Sequence, residues 1–81
     1  MNEQKIKQDI PIGANIRALR MAQGVGQTEL VRLLQLDGVE MTRETLVKIE
    51  RGAQHIQASQ LRGIRDALHT TYDALLMEPR P

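Results

Sequence analysis

Apolar residues in this chain recur at helical spacing in short runs. A glycine, a proline or a polar turn cuts off each run before it is long enough to stand alone. Ile12, Ile16 and Leu19 share one side of a helix with Ala22, and Gly24 is a stop signal after them. "QTELVRLLQL" continues through Leu30, Val31, Leu33 and Leu34, a stripe wide enough to be covered by more than one neighbour. "DGVEM" reads as a turn that carries Val39 and Met41 inward. Thr42 then has the side chain of an N-cap, Leu46 and Ile49 share a face, and Gly52 closes the segment. After the loop "AQHIQ", the helical period returns in Leu61, Ile64 and Leu68. Gly63 inside that run costs about 1 kcal/mol relative to alanine, which points to a close approach by another backbone. Thr71 caps a last segment offering Tyr72, Leu75 and Leu76 for burial. No stretch of useful length alternates as a strand does. Helices this short are marginal in water by themselves, so they must share one core: an all-α, compact bundle of five short helices.

At 81 residues the chain holds one domain at most. The pattern divides it into a flexible N-terminal arm over 1–10, a domain over 11–77 and a disordered tail over 78–81 marked by Pro79 and Pro81. Tyr72 is the only aromatic residue, so the core is aliphatic. Hydrophobic residues at 41% and charged residues at 26% place the chain with globular rather than disordered proteins. The net charge of +1 advertises no basic field, so any nucleic-acid binding must come from the arrangement of charges. Absence of cysteine excludes disulfides and thiolate chemistry and fits a cytoplasmic protein. The polar "MNEQKIKQD" is not a signal peptide, and no segment has the apolar length of a membrane span. His55 and His69 lie on separate segments without metal-ligand spacing, and no nucleophile elbow or phosphate loop occurs. The expectation is a non-enzyme without metal or cofactor.

A helical pair joined by a turn is common, but here several signatures follow one another in order. The chain reads I-G-x-x-I-R-x-L-R from Ile12 to Arg20, G-x-G-Q-x-E-L from Gly24 to Leu30, and T-R-x-T-L-x-K-I-E-R-G from Thr42 to Gly52. Leu61, Ile64, Ala67–Leu68 and Leu75–Leu76 follow. From Ile12 to Leu76 this resembles the helix-turn-helix domain of phage repressors and Cro, the lambda-repressor-like fold of Xre-like transcriptional regulators. It departs from that pattern in three places. The turn "QLDGVEM" is longer than in the shortest family members. Val31 stands where alanine is usual. "AQHIQ" lacks the lysines or arginines that many relatives use after Gly52 to hold phosphate.

The resemblance implies a recognition helix over about 42–51, anchored to the first helix by a structural ion pair between Arg20 and Glu50. It places Arg43, Glu44, Val47 and Lys48 toward DNA bases. Arginine forks onto guanine O6 and N7, lysine reaches the same acceptors, glutamate accepts from cytosine N4, and valine meets a thymine methyl. Glu44 and Lys48 are also in the favourable order for an intrahelical pair, which would leave Arg43 as the only base reader. Gln27, at the start of a helix where N–H groups and the positive dipole end favour phosphate, either contacts the DNA backbone or simply caps its helix. Thr28 is a further candidate there, and Thr42 and Thr45 are placed for phosphate. Arg17, Arg32 and Arg51, with Lys5 and Lys7 from the arm, are the remaining phosphate candidates, although an ordinary solvated surface accounts for each of them equally well.

The function implied is sequence-specific binding of double-stranded DNA by a bacterial or phage transcriptional regulator, a repressor. It would act as a homodimer on a two-fold operator through its C-terminal helices. Tyr72, Leu75, Leu76 and Met77 supply an apolar end that either closes the core or forms that interface. The alternative is a protein-interaction or antitoxin-like module on the same fold, with weak or no DNA binding and a protein partner. The near-zero net charge and the missing basic loop favour it.

Overall fold

The computed structural model describes residues 10–78. The arm and tail readings, including Lys5, Lys7, Pro79 and Pro81, fall outside those residues except at Ile10 and Glu78. Five helices follow in order: α1 (Ile12–Ala22), α2 (Gln27–Leu36), α3 (Arg43–Glu50), α4 (Ala58–Ala67) and the single turn α5 (Tyr72–Leu75). The principal contacts close into a ring. α1 packs on α3, α3 on α2, α2 on α4, α4 on α5, and α5 back on α1.

Every member of the ring sends aliphatic side chains inward. Ile16, Leu30, Leu34, Leu46, Ile64, Leu68 and Leu75 are fully buried, with Val31, Met41 and Ile49 nearly so. Burying each such side chain stabilises by about 1.5–3 kcal/mol, which is how helices too short to persist alone hold one another. Leu75 is the part of the last segment that closes the core. Tyr72 and Leu76 remain exposed, and so does Ala22 on α1, because the ring covers a narrower face than the apolar pattern suggests.

Two threonines start helices as their residue type predicts. Thr42 accepts from the Thr45 N–H and Thr71 from the Ala74 N–H, both at 3.1 Å. At the other end α3 stops at Gly52, whose φ of +78° lets the Ala53 N–H reach back to the Lys48 carbonyl at 2.9 Å. α4 ends in the same way without a glycine: His69 holds φ +51°, and the Thr70 N–H meets the Arg65 carbonyl at 3.0 Å.

The close backbone approach expected at Gly63 is elsewhere. A Cβ at Gly63 would meet the side chains of Leu34 and Val39, each at 2.9 Å. Backbone meets backbone at Gly13 instead, where a Cβ would collide with the Ile49 carbonyl oxygen and lie 3.0 Å from the Glu50 Cα. The glycine therefore sets how near α3 can lie to α1. Asn15, two residues further along α1, donates through its amide to the carbonyls of Leu75 and Met77, both at 2.8 Å, and so closes the ring.

Candidate nucleic-acid interface

The helix-turn-helix pair is α2 and α3, joined by the turn through Gly38, Val39 and Met41. The turn is longer than the shortest versions of this motif, yet it is tied down. Met41 is buried, its carbonyl accepts from the Gln35 amide at 2.8 Å, and the Val39 N–H reaches the Leu34 carbonyl at 2.9 Å. The extra residues thus present α3 without loosening it.

The inner side of α3 is fixed by a compact polar network. Arg20 on α1 donates from Nε to Glu50 Oε2 at 2.8 Å and from Nη2 to Oε1 at 2.9 Å, while its Nη1 donates to the Val25 carbonyl at 2.9 Å. The Gln27 amide donates to Glu50 Oε1 at 3.1 Å. The side chains of Arg20 and Glu50 are 9% and 2% exposed, so both charges are nearly out of water and compensated by each other. The hydrogen bond from Arg20 to Glu50 holds the guanidinium pKa above its ordinary value, against the opposing effect of burial. Removing one partner of such a pair typically costs about 3–5 kcal/mol, because the other is left buried and alone.

The outer side is different in kind. Arg43, Glu44 and Lys48 are exposed, Val47 is half-buried beside them, and Leu46 and Ile49 occupy the core side of the same turns. Glu44 and Lys48 do not form the intrahelical ion pair that their spacing permits, and Arg43 has no ion-pair partner among the described residues. All three side chains are therefore uncommitted. Thr42 and Thr45 bond to each other, with Thr42 Oγ1 donating to Thr45 Oγ1 at 3.0 Å, at the end of α3 nearest the turn.

The flanking candidates divide by what already holds them. Gln27 is the first residue of α2, and its amide is partly spent on Glu50. Gly26 before it provides no side-chain cap, so Gln27 does not act as the cap, and Thr28 beside it is exposed. Arg17 and Arg51 are exposed and without ion pairs among the described residues. Arg32 is committed to Glu29, donating from Nε to Oε1 at 3.0 Å and from Nη2 to Oε2 at 2.7 Å. That hydrogen bonding holds the Glu29 carboxyl below its usual range.

Three features of the site were not identified from the sequence: the Gly13 contact beneath α3, the Val25 carbonyl in the Arg20 network, and buried Gln60. The Gln60 side-chain oxygen Oε1 accepts from the Gln57 N–H at 2.9 Å. Glycine and glutamine carry no local signal of such contacts. Among the described residues no three His, Asp or Glu side chains gather as a metal site, and no helix is long and apolar enough to cross a membrane.

Residues 11–77 match the helix-turn-helix domain family. Among solved structures, the chain is similar to the restriction-modification controller protein C.AhdI from Aeromonas hydrophila. The TM-score is 0.69 and the identity 26%, over 82% of this chain and 92% of that one. It is also similar to a hypothetical transcription factor, NHTF, from Neisseria, with TM-score 0.72 and 27% identity over 98% of this chain and 87% of that one. No curated protein matches the chain. With the matched span covering all five helices, the chain belongs to the helix-turn-helix family of DNA-binding transcriptional regulators, of the Xre-like type.

Proposed function

We propose that this chain is a sequence-specific transcriptional repressor that binds double-stranded DNA as a homodimer, with α3 in the major groove of each half of a two-fold operator. The observation that carries the reading is the contrast across α3. Its inner side is locked by the Arg20–Glu50–Gln27 network, while Arg43, Glu44 and Lys48 stand exposed and uncommitted on the other. Base readout needs that combination of free polar side chains on a helix that does not shift. In this reading Arg43 and Lys48 take guanine, Glu44 takes cytosine and Val47 a thymine methyl. Gln27, Thr28, Thr42, Thr45, Arg17 and Arg51 meet phosphates. The names of the two structural neighbours, a controller protein and a transcription factor, support the regulatory part.

Dimerisation is assigned to the C-terminal end, where Tyr72, Leu76 and Met77 are exposed beside buried Leu75. A two-fold pair would set the two α3 helices about 34–36 Å apart, one duplex turn. The protein works in the cytoplasm and performs no catalysis. A second reading, binding of a protein partner by the same fold, is favoured by one observation: the loop after Gly52 reads "AQHIQ" and offers phosphate no lysine or arginine.

The test is selection of bound sequences from a random duplex pool at low salt, then titration of the best site against a scrambled duplex as salt rises. A two-fold motif whose binding outlasts that of the scrambled duplex supports the repressor reading. Arg43→Ala with Lys48→Ala should then lose roughly 1–3 kcal/mol of specific binding per base contact while the fold survives. Equal binding to both duplexes sinks it in favour of a protein partner.

A further inference from the structure

The long turn that leads into α3 is anchored in two halves. Backbone bonds tie its first half to α2, from the Gly38 N–H to the Gln35 carbonyl at 3.0 Å and from the Val39 N–H to the Leu34 carbonyl at 2.9 Å. The second half runs into the N-cap Thr42, and there the Glu40 and Met41 carbonyls accept no backbone N–H among the described residues. Glutamine side chains meet them instead. The Gln35 amide on α2 donates to the Met41 carbonyl at 2.8 Å, and the Gln60 amide on α4 donates to the Glu40 carbonyl at 3.4 Å, the longer and weaker bond.

Gln60 is 8% exposed, and its Oε1 already accepts from the Gln57 N–H. A buried amide costs free energy unless its polar atoms find partners, whereas an apolar side chain of the same length would fill the space without that demand. What the amide adds is direction: it ties the start of α4 to the peptide that enters α3.

The polar restraints on α3 itself gather at its far end. Glu50 is held by Arg20 and Gln27, and the Ile49 carbonyl lies against Gly13. Arg43 opens the helix, about 10 Å along its axis from Glu50. A tilt of about 5° pivoting at Glu50 would move Arg43 by about 1 Å, beyond the roughly 0.5 Å that a working site tolerates. Lys48, close to the pivot, would hardly move.

We infer that Gln35 and Gln60 are positioning residues for base readout at the start of α3, holding the turn so that Arg43 meets its base. Lys48 depends instead on the Arg20–Glu50 end. The inference rests on the reading of α3 as the DNA-facing helix, and neither glutamine touches DNA in it.

The experiment compares the full chain with Gln35→Met and Gln60→Met, which keep the side-chain length and lose the amide. Urea unfolding sets conditions in which each variant is folded. Gln35 is exposed, so Gln35→Met keeps the fold even where Gln60→Met does not. Without DNA, hydrogen exchange at the Leu46 N–H, which bonds to the Thr42 carbonyl, speeds up about tenfold or more in each folded variant. Exchange at the Arg51 N–H, which bonds to the Val47 carbonyl, changes by less than about threefold. On the selected duplex, the base preference that Arg43→Ala removes falls about fivefold or more in Gln35→Met. Affinity for a scrambled duplex, and any preference that Lys48→Ala removes, stays within about twofold. An equal loss on the scrambled duplex, an intact Arg43 preference, or an Arg43→Ala variant that relaxes no base pair overturns the assignment. Unaltered exchange at Leu46 does so without any DNA. A wild-type chain that selects no motif from the duplex pool sinks the DNA reading itself and this assignment with it, a failure distinct from the others.

Discussion

The molecule contains two arginine–glutamate pairs of nearly the same geometry. Arg20 and Glu50 meet through two hydrogen bonds of 2.8 and 2.9 Å, Arg32 and Glu29 through two of 3.0 and 2.7 Å. The first joins α1 to α3 with side chains 9% and 2% exposed. The second lies along α2 with side chains 57% and 46% exposed. Geometry alone would rank them equal, but their surroundings do not. In water the exposed charges exchange one set of good partners for another, and ordering two long side chains offsets what remains. Beneath α3 neither charge has water to return to, so each depends on the other. The same chemistry decorates the surface in one place and holds α3 against α1 in the other.

Four variants bear on that difference. Glu50→Ala has the largest expected effect, a loss of about 3–5 kcal/mol in urea unfolding, enough to threaten a domain whose total stability is of order 5–15 kcal/mol. Replacing both partners, Arg20→Met with Glu50→Leu, should return at least half of that loss, because no unpaired charge stays buried. If the double variant is no better than the single one, the penalty lies in packing and not in charge. Gln27→Ala removes one hydrogen bond to the Glu50 carboxylate and should cost about 1 kcal/mol by the same measurement. Arg32→Ala should leave the unfolding midpoint where it was, at low and at high salt alike. A loss comparable to that of Glu50→Ala would show that burial is not what separates the two pairs.

How much of this was legible in the sequence depends on how far apart the interacting residues lie. Helix starts at Thr42 and Thr71 and stops at Gly24 and Gly52 are local events, set by residues within one turn of each other, and the helical period identifies the buried side of each segment. The apolar period overstates burial where a helix ends at the edge of the ring, as at Ala22, Tyr72 and Leu76. Contacts between distant elements leave no local trace. Arg20 and Glu50 lie 30 residues apart, and only the family resemblance named them together. The Gly13 contact with α3 looks from the sequence like any helical glycine. Glu44 and Lys48 show the opposite failure: their spacing permits a pair, and the side chains do not make one.

Closure of the helix ring through Asn15 has a consequence for synthesis of the chain. The two carbonyls its amide binds belong to Leu75 and Met77, 60 and 62 residues further on, so the first helix must wait for the last turn. On the ribosome α1, α2 and α3 emerge well before that turn, while the core is still open on its α5 side. The nascent protein therefore exposes its aliphatic interior until residue 77 leaves the exit tunnel, and the final bonds close a loop spanning most of the domain. Those few late residues set the moment at which the helix ring of a newly made copy closes.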